Sequence, residues 1–462
     1  MALLLAAAIA VPAFAAEQNA WPFWVGQEDA TTGQIVSQQI LGPVYSSQRN
    51  ADGSTRQVLR PLWLQAAEEG HEETSFLYPF FMWRQDATSK SFSFFDLINR
   101  YSEKSPEEAG TSRFDLWPFY FSRDSGDPAT SYHALFPLAG TIKNRFGKDR
   151  LTWYFFPLYF NTDKAGMEVT SAPWPFLRMI NGAGHHGFEF WPLFGSREHP
   201  GDYHNQFYLW PLIYKQEKNL SEPQPDVKLG FLPFYARDSG PGYQSETYAW
   251  PFVGTTHRTL PEKYDEVRYF WPFLVQGRGD TRFVNRFGPF YTHSNIKGYD
   301  KTWLLWPLYR HARWSEGEIA QEKNVFLFFI YSSVEQHSLT NPAAAPAYKR
   351  HFWPLLTVWD NGSGLRQAQA LSPFEVFFPH NDPVRQLYTP LFAVYRFDQT
   401  APGHTRHSIL WSLVSWSKSP TEKEFHLGPL GWRRAPDIPR GKFFFFASRA
   451  QSAKPAPVPS SP

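Results

Sequence analysis

The sequence contains no cysteine. That absence excludes disulfides, thiolate metal sites and cysteine nucleophiles together, and leaves packing and hydrogen-bonded ladders to hold the fold. It also excludes a lipid anchor on a cysteine behind a cleaved leader. No stretch approaches the ~20 consecutive apolar residues that a membrane-crossing helix requires. An excess of one charge is lacking as well. Forty-five Lys+Arg oppose 43 Asp+Glu, a net charge of +2, so nothing electrostatic points to nucleic acid as a partner. Gly-x-Ser-x-Gly, His-Glu-x-x-His, the dinucleotide glycine fingerprint, the phosphate-binding Gly-x-x-x-x-Gly-Lys-Ser/Thr loop and the EF-hand spacing are all missing. The sequence therefore nominates no catalytic, cofactor-binding or metal-ligating residue, and no cofactor.

What is present is a repeated phrase. Proline is abundant, at 40 residues, and aromatic residues make up 18%. The two occur together as Trp117-Pro118-Phe119, Phe136-Pro137-Leu138, Phe156-Pro157-Leu158, Trp174-Pro175-Phe176, Trp191-Pro192-Leu193 and Trp210-Pro211-Leu212. The series continues as Leu232-Pro233-Phe234, Trp250-Pro251-Phe252, Trp271-Pro272-Phe273, Gly288-Pro289-Phe290, Trp306-Pro307-Leu308 and Trp353-Pro354-Leu355. Earlier members centre on Pro22, Pro43, Pro61 and Pro79, and later ones on Pro373, Pro390 and Pro429. From Pro118 to Pro307 the steps are 17 to 22 residues. A fixed period of this size is the signature of a repeat architecture.

The flanks of each proline are rich in aromatic and β-branched residues, which fit a pleated surface. A proline in every repeat opposes long helices. Turn formers lie between the phrases: Asn50-Ala51-Asp52-Gly53, Arg123-Asp124-Ser125-Gly126-Asp127, Asn181-Gly182-Ala183-Gly184, Arg237-Asp238-Ser239-Gly240 and Asp360-Asn361-Gly362. One strand per repeat, centred on its proline, predicts an all-β antiparallel up-and-down meander of about 22 strands, each about ten to thirteen residues long. A closed barrel is the leading form of that meander, and a bent two-layer sandwich or coil is the alternative. Proline cannot donate to a sheet ladder, so this reading needs a bulge or corner at every proline.

The seven residues around each proline would span ~23 Å, close to the ~25 Å apolar band of outer-membrane barrels. Residues 1–16 run apolar to Ala13-Phe14-Ala15 before the first charge, the pattern of a secretory leader. One domain is expected over residues 17–447, and residues 448–462 read as a Pro-rich disordered tail. In Phe207-Tyr208-Leu209-Trp210-Pro211-Leu212-Ile213-Tyr214 both faces of the expected strand are apolar, unlike the alternation of a water-filled porin. His185-His186 lies in a Gly-rich stretch and reads as a solvated loop rather than a metal site.

Carried by these phrases, the chain resembles a class of exported bacterial proteins built from Trp-Pro-Leu/Phe repeats. The resemblance implies an all-β envelope protein and supplies no functional residues. Three functional expectations stand. The first is an outer-membrane barrel with a structural or transport role, with membrane lipid as its partner and a hydrophobic or amphiphilic solute if it conducts. The second is a periplasmic or surface β-repeat protein that binds a ligand or partner. The third is a polysaccharide-active enzyme, whose paired carboxylates would leave no local sequence signature.

Overall fold

The computed structural model describes residues 14–446 apart from 30–33, 51 and 105–109. The leader expected at 1–16 lies outside the described residues as far as position 13, and Phe14 opens the first strand, Phe14–Ala20. The tail expected at 448–462 lies outside them entirely. The chain divides into two compact units. A mid-chain unit is Thr88–Phe328, and a terminal unit combines Met1–Ala87 with Phe329–Pro462.

The described residues form 43 strands, ending with Ile438–Phe445. This is about twice the number expected from one strand per repeat. The physical reason is the proline, which ends a strand instead of centring one. In Leu116-Trp117-Pro118-Phe119 the Phe119 N–H donates to the Leu116 carbonyl at 2.7 Å, and the Trp117–Pro118 peptide is cis. That is a four-residue turn with cis proline at its third position. Strand Ser112–Leu116 enters the turn and Tyr120–Asp124 leaves it, and the two pair antiparallel. Proline's missing N–H thus falls at a turn position, where the ladder asks nothing of it. The same bond closes Phe155 to Leu158, Phe190 to Leu193, Leu209 to Leu212, Phe231 to Phe234, Phe270 to Phe273 and Phe352 to Leu355.

The barrel of about 22 long strands is therefore overturned, and so are the alternatives that bent each strand at its proline. Within each unit the described pairings join strands that are consecutive in the chain. Strands run from four residues, Tyr132–Leu135, to eight, Tyr309–Glu316. No ladder closes either unit into a ring among the described residues. In the terminal unit a single backbone bond, Asn19 N–H to the Phe446 carbonyl at 3.0 Å, links the first strand to the residue after the last. The run Phe207–Tyr214 is also not one strand with two apolar faces. Phe207-Tyr208 ends one strand, Leu209 to Leu212 form the turn, and Ile213 opens the next strand.

Side chains alternate across the sheet as the pleat requires. In Tyr132-His133-Ala134-Leu135 the first and third residues are buried and the second and fourth exposed. The covered face is unusually polar. Ser75, Ser171, Ser245, Thr247, Ser294, Ser333 and Ser415 are buried on it, among few large apolar side chains. The main apolar cluster of the mid-chain unit is Phe121, Tyr132, Ala134, Ile142 and Trp153. Gly140 permits it, because a Cβ there would meet both Ala134 and the Trp153 indole.

Beside this cluster Asp115 is buried and accepts two bonds from the Arg145 guanidinium, at 2.7 and 2.6 Å. Burial pulls the Arg145 pKa down, but the bonds to Asp115 and Tyr132 outweigh it and hold the group above its ordinary value. Removing one partner of a mostly buried pair strands the other charge and costs about 3 kcal/mol. Asp115→Ala is therefore expected to lower the opening free energy of strands Ser112–Leu116 and Ala139–Arg145 by that amount, measured by native-state hydrogen exchange. Unchanged protection in both strands would show that the pair is not structural.

Candidate functional site

Two features stand out once the strands are in place: a rim and a cavity. In a meander of short strands, alternate turns lie at opposite ends of the strands. Here the two kinds of turn alternate along the chain in step with that geometry. Every aromatic-proline turn lies at one end of its unit, and the Gly, Asp and Asn turns lie mostly at the other, where Phe146 and Leu260 are exposed apolar exceptions. In the mid-chain unit the phrases Trp117-Pro118, Pro137, Pro157, Trp174-Pro175, Trp191-Pro192, Trp210-Pro211, Pro233, Trp250-Pro251, Trp271-Pro272, Pro289 and Trp306-Pro307 all join an odd strand to the following even one. Trp353-Pro354 does the same in the terminal unit. The opposite turns include Phe146-Gly147, Ala165-Gly166, Ala183-Gly184, Pro241-Gly242 and Lys297-Gly298.

Successive proline turns are bonded to one another. Trp117 N–H donates to the Leu97 carbonyl, Phe136 N–H to Phe119, Trp191 N–H to Phe176 and Trp271 N–H to Phe252, each at 2.7 Å. Their rings follow the same line. Phe156 lies 5.1 Å from Phe136 and 5.3 Å from Trp174, and Phe176 lies 6.2 Å from Trp191, within the range of favourable ring contacts. The residues at the crest point outward: Phe155, Leu158, Phe234 and Phe290 are each about two-thirds exposed, at 65, 64, 64 and 66%. Individual strands change character along their length. Tyr203-His204-Asn205-Gln206 is polar, whereas Phe207-Tyr208 approaches the rim.

Several sequence-read turns fall elsewhere. Asn181-Gly182 and Arg237 to Gly240 lie in strands, with the turns one step later at Ala183-Gly184 and Pro241-Gly242. His185 and His186 open strand His185–Phe190 rather than sit in a loop. His185 packs 4.3 Å from His199 and shares a 2.9 Å bond with the Tyr203 hydroxyl. Among the described residues no group of three His, Asp, Glu or Cys could hold a metal ion.

The cavity lies in the terminal unit, where the repeat is broken. Between strands Arg366–Ala370 and Tyr395–Ala401 the chain forms two short helices, α1 (Asp382–Leu387) and α2 (Thr389–Phe392), in place of a proline turn. Asn381 caps α1 by accepting the Val384 N–H at 2.9 Å. Fully buried Leu387 then packs with Val58 and Leu64. The Asn381 amide and Tyr388 hydroxyl donate to the Tyr78 hydroxyl and carbonyl, at 2.8 and 3.1 Å. The Trp353 and Trp411 indoles donate to the Pro373 and Pro390 carbonyls, at 3.0 and 2.9 Å. The insert helps to enclose a cavity of about 430 Å³ lined by Arg49, Arg56, Arg60, Arg385, Arg396 and Arg406, with Glu375 and Asp398 the acids on its wall.

Three of these arginines have carboxylate partners. Arg385 pairs with Glu375 at 3.2 Å, Arg396 with Asp398 at 2.8 Å and Arg406 with Glu17 at 2.9 Å. Arg60 occupies the position before proline that Trp or Phe holds in most other phrases. It is buried, and among the described residues it donates only to the carbonyls of Gln386 and Pro43, at 2.7 and 2.8 Å. Burial, and then the nearby Arg396 charge, lower its pKa to about 10.

Behind the wall, Glu17 ties the first strand to the last ones. It accepts from Arg406, from the Ser415 hydroxyl at 2.7 Å and from the Asn19 amide at 3.0 Å. Burial pushes the Glu17 carboxyl upward, but Arg406, His426 and these bonds outweigh it and hold the group below its ordinary 4.5. A depressed carboxylate stabilises the fold above its unfolded value and loses that contribution as pH falls through the folded value. Acidification from pH 5 downward is therefore expected to loosen the Asn19 amide in hydrogen exchange, and Glu17→Gln is expected to flatten that pH dependence. The same slope in both proteins would contradict a role for Glu17.

No protein-family model matches the chain, and comparison with curated proteins finds none similar to it.

Proposed function

We infer that the protein is a monotopic membrane-surface scaffold, seated in one lipid leaflet by its aromatic-proline rim. The observation that carries this reading is the segregation of the turns, which lines one end of the strands with exposed Trp, Phe and Leu. Soluble proteins rarely expose contiguous apolar patches above a few hundred Å², and this rim recurs along the length of both units. The dimensions support one leaflet. A six-residue strand is about 20 Å long at ~3.3 Å per residue, and a membrane-crossing strand needs about 9–11 residues. The apolar part is shorter still. Phe119 at the crest and Leu116 and Phe114 on the strand below it are exposed, which gives a depth of roughly 10 Å. Interfacial elements bury their apolar faces about 5–10 Å.

The polar turns at the other end then meet water, and the short ladder holds the anchoring residues in a row. The role is structural, with each unit's hydrogen-bonded strands holding its own rim against a membrane. Its envelope location rests on the leader-like residues 1–16 and the resemblance to exported repeat proteins.

Flotation with phospholipid vesicles tests this reading. The full chain is expected to float in detergent-free buffer, and the triple variant Phe155→Ser, Leu158→Ser, Phe234→Ser to partition at least tenfold more weakly. Tenfold is about 1.4 kcal/mol, well within what burying three large apolar side chains supplies. Wild-type protein that stays monodisperse and does not float would refute it.

A further inference from the structure

We propose that the arginine cavity of the terminal unit binds a phosphate-bearing ligand. Most phrases place an apolar residue before the proline, and an apolar residue there suits a lipid-facing rim. Arg60 breaks that rule at Arg60-Pro61 and turns its guanidinium inward, where it is 8% exposed. A buried arginine with only carbonyl acceptors keeps its full charge without a counter-ion, an arrangement that costs stability unless something else offsets it. The second break in the pattern lies opposite. The helical insert carries the Gln386 carbonyl and Arg385 to the same cavity. Two departures from the repeat thus meet at one place.

The charge on the wall is one-sided. Arg385, Arg396 and Arg406 pair with Glu375 (shared with Lys349), Asp398 and Glu17, whereas buried Arg60, half-buried Arg56 and exposed Arg49 have no carboxylate partner among the described residues. A surplus of three guanidiniums matches a polyoxyanion rather than a single carboxylate, since each guanidinium presents a planar fork of donors to tetrahedral phosphate oxygens. A volume of about 430 Å³ admits a phosphate ester with a small polar group attached. Gln39, Gln48 and Gln367 also line the wall, with the Gln48 and Gln367 amides already donating to Asn50 and Asp398. Pro43, Arg60 and Trp411 come from rim-side turns, so the cavity borders the level at which a lipid headgroup would lie if the protein is seated as inferred above. A free phosphate ester offers the same chemistry, and the phosphate proposal itself does not depend on membrane seating.

Titration calorimetry at low ionic strength with inorganic phosphate and with glycerol phosphate, together with binding to phosphatidylglycerol vesicles, tests the proposal. Saturable binding to any of these probes is expected, at least tenfold weaker in Arg49→Gln/Arg56→Gln, whose side chains make no hydrogen bond or ion pair among the described residues, and weaker again in Arg60→Met. A response to the soluble probes identifies a free ester as sufficient; a variant-sensitive response confined to vesicles identifies the headgroup. Absence of binding to all three probes, or binding unchanged in a folded Arg49→Gln/Arg56→Gln protein, would overturn the site. Because the soluble probes need no membrane, their outcome is independent of whether the rim enters lipid.

Discussion

The hydrogen bond that closes most of the proline turns sets the rest of the structure. It runs from the residue after the proline to the residue two before it, and it reverses the chain in the space of Trp-Pro. Proline contributes by having no N–H to leave unpaired at that point, and the flanking aromatic and aliphatic residues contribute by ending one strand and starting the next. Since the same turn recurs at the same end of the strands, each phrase also donates to the preceding one, as Trp117 does to Leu97 and Trp271 to Phe252. The periodic phrase in the sequence is the imprint of this second, rim-level ladder.

Segregating the turns has an energetic consequence. Large apolar side chains collect at the rim and remain exposed, while serines, threonines and paired charges occupy much of the covered face. Serine and threonine hydroxyls there pair locally, as Ser245 does with Thr256 at 2.9 Å, and Asp115 is neutralised by Arg145. Such an arrangement draws little stabilisation from an apolar core. Its stability rests on ladders, on local ring contacts and, in the reading offered here, on the transfer of the rim from water into lipid.

The repeat, the all-β class and the antiparallel order were legible from the proline phrases. Strand length was not, because Phe207 to Tyr214 has the same composition whether it forms one long strand or a turn with two stems. Composition does not distinguish these, and only the four-residue bond closing each turn does. The turn formers misled by one step for a similar reason. Asp238-Ser239-Gly240 has turn chemistry but lies in a strand, where Asp238 pairs with Lys228 at 2.9 Å. The helical insert was hidden by spacing: Pro373 and Pro390 keep the repeat interval although their neighbours Ser372 and Thr389 lack the aromatic partner. Pro61, Pro373 and Pro390 were counted as ordinary repeats from the sequence, although that loss and the arginine in Arg60-Pro61 were the signals that could have marked the cavity.

A cysteine-free chain makes the decisive measurement direct, because single cysteines can be introduced and spin-labelled without background. Labels in the mid-chain unit, at Phe119→Cys and Phe234→Cys on the rim and at Ala165→Cys and Lys297→Cys on the opposite turns, can be compared in lipid vesicles by their collision rates with oxygen and with a water-soluble nickel complex. Rim labels that favour oxygen at one shallow depth, with polar-turn labels that favour nickel, are the predicted result. Equal nickel accessibility at both ends, or lipid exposure at both ends, would contradict a unit seated by one rim in one leaflet.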